Sequence, residues 1–128
     1  MRRTLATTAL VLLLAGAGMM APQEPQAQAW DPLRAEKGVE VGEYYMKKGN
    51  YDAAIDRFQD AVRYKPGFAR PYRLMGEAYE KKGEKAEAVK SYQTYLKLLP
   101  SAEDAAKVRK RIEKLARELE RAAARRPR

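Results

Sequence analysis

Asp52, Asp56 and Asp60 recur at intervals of four, so that carboxylates fall near one another at helical spacing. Neighbouring carboxyls can serve as general acid and base when their surroundings drive their pKa values apart. A spacing of four puts all three on one stripe of a helix. Ala54, Ile55, Phe58, Ala61 and Val62 form its apolar stripe, with Gln59 and Arg63 on the polar side. The aspartates are therefore expected on a hydrated outward face, where they do no catalysis. The rest of the inventory excludes more. The chain has no Cys and no His, which removes thiol nucleophiles, imidazole bases, disulfides and the usual zinc ligands. No Gly-rich phosphate loop follows a strand, and no strand is predicted at all. Neither enzyme activity nor a cofactor is expected, and binding is the remaining task.

The elements that would carry such binding are set by a period. Superposing Ala54 on Ala88, Phe58 on Tyr92 and Pro66 on Pro100 gives one offset of 34 residues, and the same offset carries Gly42 onto Gly76, Tyr45 onto Tyr79 and Gly49 onto Gly83. A fixed period of this size signals stacked repeats. Within each unit Gly49-Asn50 or Gly83-Glu84 interrupts apolar positions spaced by three and four, so each reads as two short helices. Gly42 with Ala54, and Gly76 with Ala88, lack bulk where the helices of a pair would cross, which lets the backbones approach while Tyr45, Phe58, Tyr79 and Tyr92 fill the space alongside. Pro66 and Pro100 stop each second helix, having no amide hydrogen to donate.

These residues resemble the tetratricopeptide repeat, a 34-residue unit marked by an aromatic, a Leu-Gly pair, a Tyr, an Ala, a Phe and a closing Pro. The second unit is the better match, with Tyr72, Met75-Gly76, Tyr79, Ala88, Tyr92 and Pro100. In the first, Gly38 occupies the aromatic slot, so a frayed or loosely packed first helix is expected. In the second, Tyr95 stands where the first has the small Ala61, so a wider contact should follow. The resemblance implies an all-α, right-handed superhelical solenoid of antiparallel helix pairs, five helices in all. It also implies that the first helix of each unit lines a concave groove for an extended peptide or a partner helix. Mapped here, that face is Glu36, Val39, Glu43 and Met46, then Arg70, Arg73, Glu77 and Glu80, with Lys107 and Arg111 from the last helix. The subclass that grips a C-terminal carboxylate needs Lys and Asn where Val39 and Glu43 stand, so that activity does not carry over. The Arg70, Arg73, Lys107 and Arg111 end could dock an acidic segment, because guanidinium forks match carboxylates.

Along the chain, residues 1–29 read as a secretory leader with a Pro/Gln-rich cleavage region. Arg2-Arg3 is its charged head, Leu5 to Gly18 its apolar run and Ala27-Gln28-Ala29 its small-x-small site. The apolar run falls short of the roughly 20 residues of a membrane span, which favours cleavage over anchoring. A lead-in follows over 30–34, where Asp31-Pro32 is a helix start. The two units cover 35–68 and 69–102, a capping helix 103–124 and a basic tail 125–128. Ser101 with Asp104 resembles a capping box for the last helix, expected from about Ala102 to Ala123. The apolar residues of that helix, Ala105, Val108, Ile112, Leu115, Leu119 and Ala122, form a narrow seam that can cover Leu96 and Leu99. Its turns beyond Leu115 could instead pair with another chain.

Charge is uneven. Residues 105–128 hold ten Lys or Arg against three Glu, whereas residues 30–104 hold fourteen against thirteen acids, so most of the net charge of +9 belongs to the last helix and tail. Such a cluster suits an anionic membrane or an acidic protein, and an exported protein seldom meets nucleic acid. The sequence thus points to a non-enzymatic interaction adaptor of the periplasm or cell envelope. The alternatives are a homodimer or larger oligomer built through the last helix, and a basic binder of anionic envelope surfaces.

Overall fold

The computed structural model describes residues 29–127, and the leader reading over residues 1–28 lies outside the described residues. Five helices follow one another: α1 Pro32–Lys47, α2 Tyr51–Tyr64, α3 Ala69–Lys82, α4 Lys85–Leu98 and α5 Ala105–Ala124, with no strand among the described residues. Each helix packs on the next; beyond such neighbours the backbones of α1 and α3 come close, and side chains of α3 and α5 meet through Glu80 and Arg111. The architecture is all-α, two hairpins side by side with α5 laid against the second.

Local chemistry sets the helix ends. Asp31 Oδ1 accepts from the Arg34 amide at 2.9 Å and Pro32 opens α1, while Asn50 Oδ1 accepts from the Ala53 amide at 3.2 Å to open α2. The tight turns inside the hairpins pass through Gly49 and Gly83 at φ of 72° and 80°, a left-handed conformation that side chains resist. Lys65 and Leu99, each preceding a proline, leave the helical region at ψ of 81° and 72° and end α2 and α4.

The start of α5 departs from expectation. Residues 100–104 run as turns and the helix begins only at Ala105, with no side chain capping it. Asp104 does not cap because its carboxylate is engaged elsewhere: Oδ1 accepts from the Tyr95 hydroxyl at 2.6 Å, and Oδ2 lies 3.6 Å from Arg73 Nε.

Packing follows the small residues. An ideal Cβ on Gly76 would stand 2.5 Å from Tyr92 Cε1, and one on Gly42 would overlap the Phe58 ring. The two aromatic rings therefore lie directly over the two glycines. Ala54, Ala61 and Ala88 are fully buried beside them. Tyr45 flanks the first core, and Tyr72 and Tyr79 touch both cores, joining the hairpins. Gly38 does not fray α1. The helix runs through it unbroken, because the missing side chain lets α1 sit against Arg57 O and the Ala61 methyl, 3.3 and 3.4 Å from an ideal Cβ. Tyr95, only 6% exposed, fills the second core together with Val108 and Leu115 of α5. Leu96 is covered by that core, but Leu99 remains 46% exposed, so α5 covers only one of the two leucines assigned to it.

Candidate functional site

Residues three and four apart on a helix share a face. On α3 that places Arg73, Glu77 and Glu80 along one wall, and on α5 it places Lys107, Val108 and Arg111 along the facing one. Met46 from α1 and Tyr92 from α4 close the floor, and the open concavity they line is about 540 Å³. Arg70 lies just outside it, lining a neighbouring shallow cavity with Arg73, Tyr95, Leu99 and Lys107.

Ion pairs within the chain neutralise most of this surface. Arg73 Nη1 donates to Glu77 Oε1 at 2.5 Å, Arg111 Nε donates to Glu80 Oε1 at 2.6 Å, and Arg70 Nη2 donates to Glu43 Oε1 at 2.7 Å. Of the four cations expected to receive an acidic segment, Lys107 alone has no ion pair among the described residues. The Tyr92 hydroxyl also donates to Glu80 Oε1, at 2.8 Å. Burial of the ring and the Glu80 carboxylate together push the Tyr92 hydroxyl well above the usual tyrosine range, and the same carboxylate raises Arg111. Glu80, with a side chain only 15% exposed, thus pins α3, α4 and α5 at one point.

Val39, on the groove face by its register, is instead 0% exposed and belongs to the first core. Ala35, Val39 and Gly42 are the buried stripe of α1, and Glu36 and Glu43 flank it. Those two glutamates turn to Lys65 at 3.5 Å and to Arg70, tying α1 to the entry of α3. One period later the Val39 register holds Arg73, whose longer stem carries its charge out of the core to Glu77 and Asp104.

The structure also adds residues that the repeat pattern assigned only to packing or capping. Tyr92 reaches the groove through its hydroxyl, and Asp104 reaches it by declining its cap. A signal for the first was present. Phe58 and Met46 in unit one correspond to Tyr92 and Glu80 in unit two, so an apolar ring beside a thioether becomes a phenol beside a carboxylate. A tyrosine in a buried slot needs a hydrogen-bond partner, and the changed neighbour supplies it.

Among the described residues no three His, Cys, Asp or Glu are grouped to hold a metal ion, and no helix is long and apolar enough to cross a membrane. Asp52 and Asp60 are spent on ion pairs, with Lys82 at 2.5 Å and with Arg57 and Arg63.

The tetratricopeptide repeat family has a sequence model that matches residues 42–103. Over 62 residues, 48% of this chain, the sequence is 34% identical to a probable UDP-N-acetylglucosamine–peptide N-acetylglucosaminyltransferase SEC of Arabidopsis thaliana. The chain spans only 6% of that protein's length, so the activity in its name is not carried over. Two hairpins on one 34-residue offset, glycines seated under the aromatic rings of the paired helix, and a family match over much of the same span agree: residues 42–103 of this chain are a tetratricopeptide repeat stretch.

Proposed function

We propose that the chain is a non-enzymatic adaptor, exported to the periplasm or cell envelope, that holds a peptide or partner helix in the groove between α1, α3 and α5. The observation that carries the groove reading is the convergence of Met46, Glu77, Glu80, Val108 and Lys107 from three helices on one concavity. Its walls are neutral pairs apart from Lys107, with Val108 an apolar spot on one of them, and its floor is thioether and phenol edge. A segment with an apolar side chain for Met46 and Val108, and a carboxylate for Lys107, fits that lining. Repeats of this family generally mediate protein–protein interaction, which supports the class of partner. Export rests on the Arg2-Arg3 head and the Leu5–Gly18 run of the sequence.

The test places a photo-crosslinking residue at Met46 or Lys107 of the full chain in its host, with Asp56 and Lys97 as positions outside the groove. A defined partner is expected to crosslink from the groove positions only, and adding Val108→Glu should abolish the adduct. Equal adducts from Asp56 and Lys97, or none from the groove, would remove the reading. The mass of the mature chain from an envelope fraction tests export separately.

A further inference from the structure

Charge on α5 is arranged unlike charge on the rest of the molecule. Of the fourteen Lys and Arg in residues 30–104, ten lie within ion-pair distance of a carboxylate. Of the seven on α5, Arg111 alone does, among the described residues. Four of the other six fall in one row, which Arg125 continues just past the end of the helix. Lys110, Lys114, Arg117, Arg121 and Arg125 step by 4, 3, 4 and 4 along the side of α5 opposite Val108, Ile112, Leu115 and Leu119, and all five are exposed. At 3.6 residues per turn they fall within an arc of about 80°, in a row about 22 Å long. No acid interrupts the arc. Glu113 and Glu120 lie toward one flank, and Glu118 on the other is held 3.0 Å from Lys85.

A hydrated face does not need this arrangement. Like charges four apart repel and weaken the helix that carries them. The helix dipole favours cations in the last turn, which accounts for Arg121 and Arg125 but not for Lys110 or Lys114. A second copy of the chain is a poor occupant, since two such rows repel, and past Leu119 the helix offers only Ala122, Ala123 and Ala124 as apolar contact. Bases fit no better: α5 carries no aromatic side chain to stack on them and no Asn or Gln to read them. What the row does match is a plane of negative charge. It is straight and narrow, and it lies on the side of α5 turned away from α4 and from the Arg111–Glu80 pair with α3, so no other helix stands in front of it.

We infer that the outer face of α5 is a docking surface for an anionic lipid bilayer. The choice of lipid draws on the apolar run Leu5–Gly18, which on the export reading brings the chain to a membrane. Attraction of this kind is electrostatic, with no apolar residue in the row to insert, so it is reversible and weakens with salt. Val108 and Arg111 of the groove lie to one side of the row and Lys107 lies at its edge about one turn before Lys110, so a bilayer on the row leaves most of the groove lining open to a partner.

The experiment is co-sedimentation of the full chain with vesicles of phosphatidylglycerol mixed with phosphatidylcholine, and with phosphatidylcholine alone. Partition through the Leu5–Gly18 run appears in both, so the phosphatidylglycerol-dependent part isolates the charge effect. One variant carries Lys110→Gln, Lys114→Gln, Arg117→Gln and Arg121→Gln. A second removes equal charge from exposed, unpaired sites, with Lys47→Gln, Lys48→Gln, Lys81→Gln and Lys97→Gln. The row variant is expected to lose at least ~10-fold of the phosphatidylglycerol-dependent binding, and the control at most a few-fold. Far-UV circular dichroism confirms that both remain helical. Equal losses in the two variants, or no dependence on phosphatidylglycerol in the wild type, would overturn the inference. So would a mixed-sequence oligonucleotide that binds more tightly than the vesicles at the same salt and is lost with the row, which would assign the surface to nucleic acid. The groove reading is untouched by any of these results, because its crosslinks need no lipid.

Discussion

Three glycines inside helices carry three different burdens. Gly42 and Gly76 have no room for a methyl, since the ring of Phe58 or Tyr92 already occupies that place. Gly38 has a little, with Arg57 O at 3.3 Å as its nearest neighbour. Glycine in a helix interior costs about 1 kcal/mol relative to alanine, so any site with room gains from the substitution. At Gly42 and Gly76 that gain is outweighed by displacement of a fully packed ring, a strain of about 1–3 kcal/mol. Gly76→Ala and Gly42→Ala are therefore expected to destabilise clearly in urea melts, while Gly38→Ala, whose methyl needs Arg57 O and the Ala61 methyl to move back only slightly, should lose markedly less. A Gly38→Ala loss as large as that of Gly76→Ala would mean that the α1/α2 approach at Gly38 is as unyielding as the ring contacts at Gly42 and Gly76. The same scale explains the Tyr92 hydroxyl: one oxygen added to the Phe58 pattern recruits Glu80 and, through it, Arg111 of the closing helix.

At the level of elements, the hairpins were legible because their signals are local. A capping side chain, a left-handed turn glycine and a proline each act within a few residues, and the period of 34 repeats them. What stayed hidden depends on partners far along the chain. Val39 reads as a groove residue by register, yet Leu74 and Met75 of α3 share its core. Asp104 reads as a cap, and Tyr95 and Arg73 take its carboxylate instead. Gly38 reads as a missing aromatic, and α2 moves in to use the space. The groove was half legible for the same reason: the α3 and α5 faces follow from spacing, but the pairing of Arg73 and Arg111 with acids of the same chain does not. For α5 the buried residues reach only to Leu115, with Leu119 half-buried and Ala122 exposed. Ending the chain after Leu119 should thus leave the melting midpoint nearly unchanged, a surface change of about 0.5 kcal/mol or less. Ending it after Lys107 removes Val108 and Leu115 and uncovers Tyr92 and Tyr95, which is expected to unfold the second hairpin. Equal melting of both truncations would show that α5 does not close the core.

Across the whole molecule, contacts run almost entirely between successive helices, so stability is shared along a line rather than around one centre. A stack this short has two ends for little middle. α1 leaves Leu33 81% and Tyr44 56% exposed on its open face, and α5 runs past the core it covers. Opening should therefore cost least at the ends and most where a helix has packed neighbours on both sides. Amide hydrogen exchange is expected to show slowest exchange in α2, α3 and α4, with faster exchange in α1 and in α5 beyond Leu119. The two binding surfaces predict different changes to that gradient, because ligand binding protects what it holds in place. A groove partner touches Met46, the Glu77 and Glu80 wall and Val108, and should slow α1, α3 and the first half of α5 together. An anionic bilayer on the row from Lys110 to Arg125 should slow α5 alone, most strongly in the turns after Leu119 that are otherwise the fastest. Uniform slowing of all five helices by either ligand would mean that the chain opens as one unit, and the linear picture of its stability would fail.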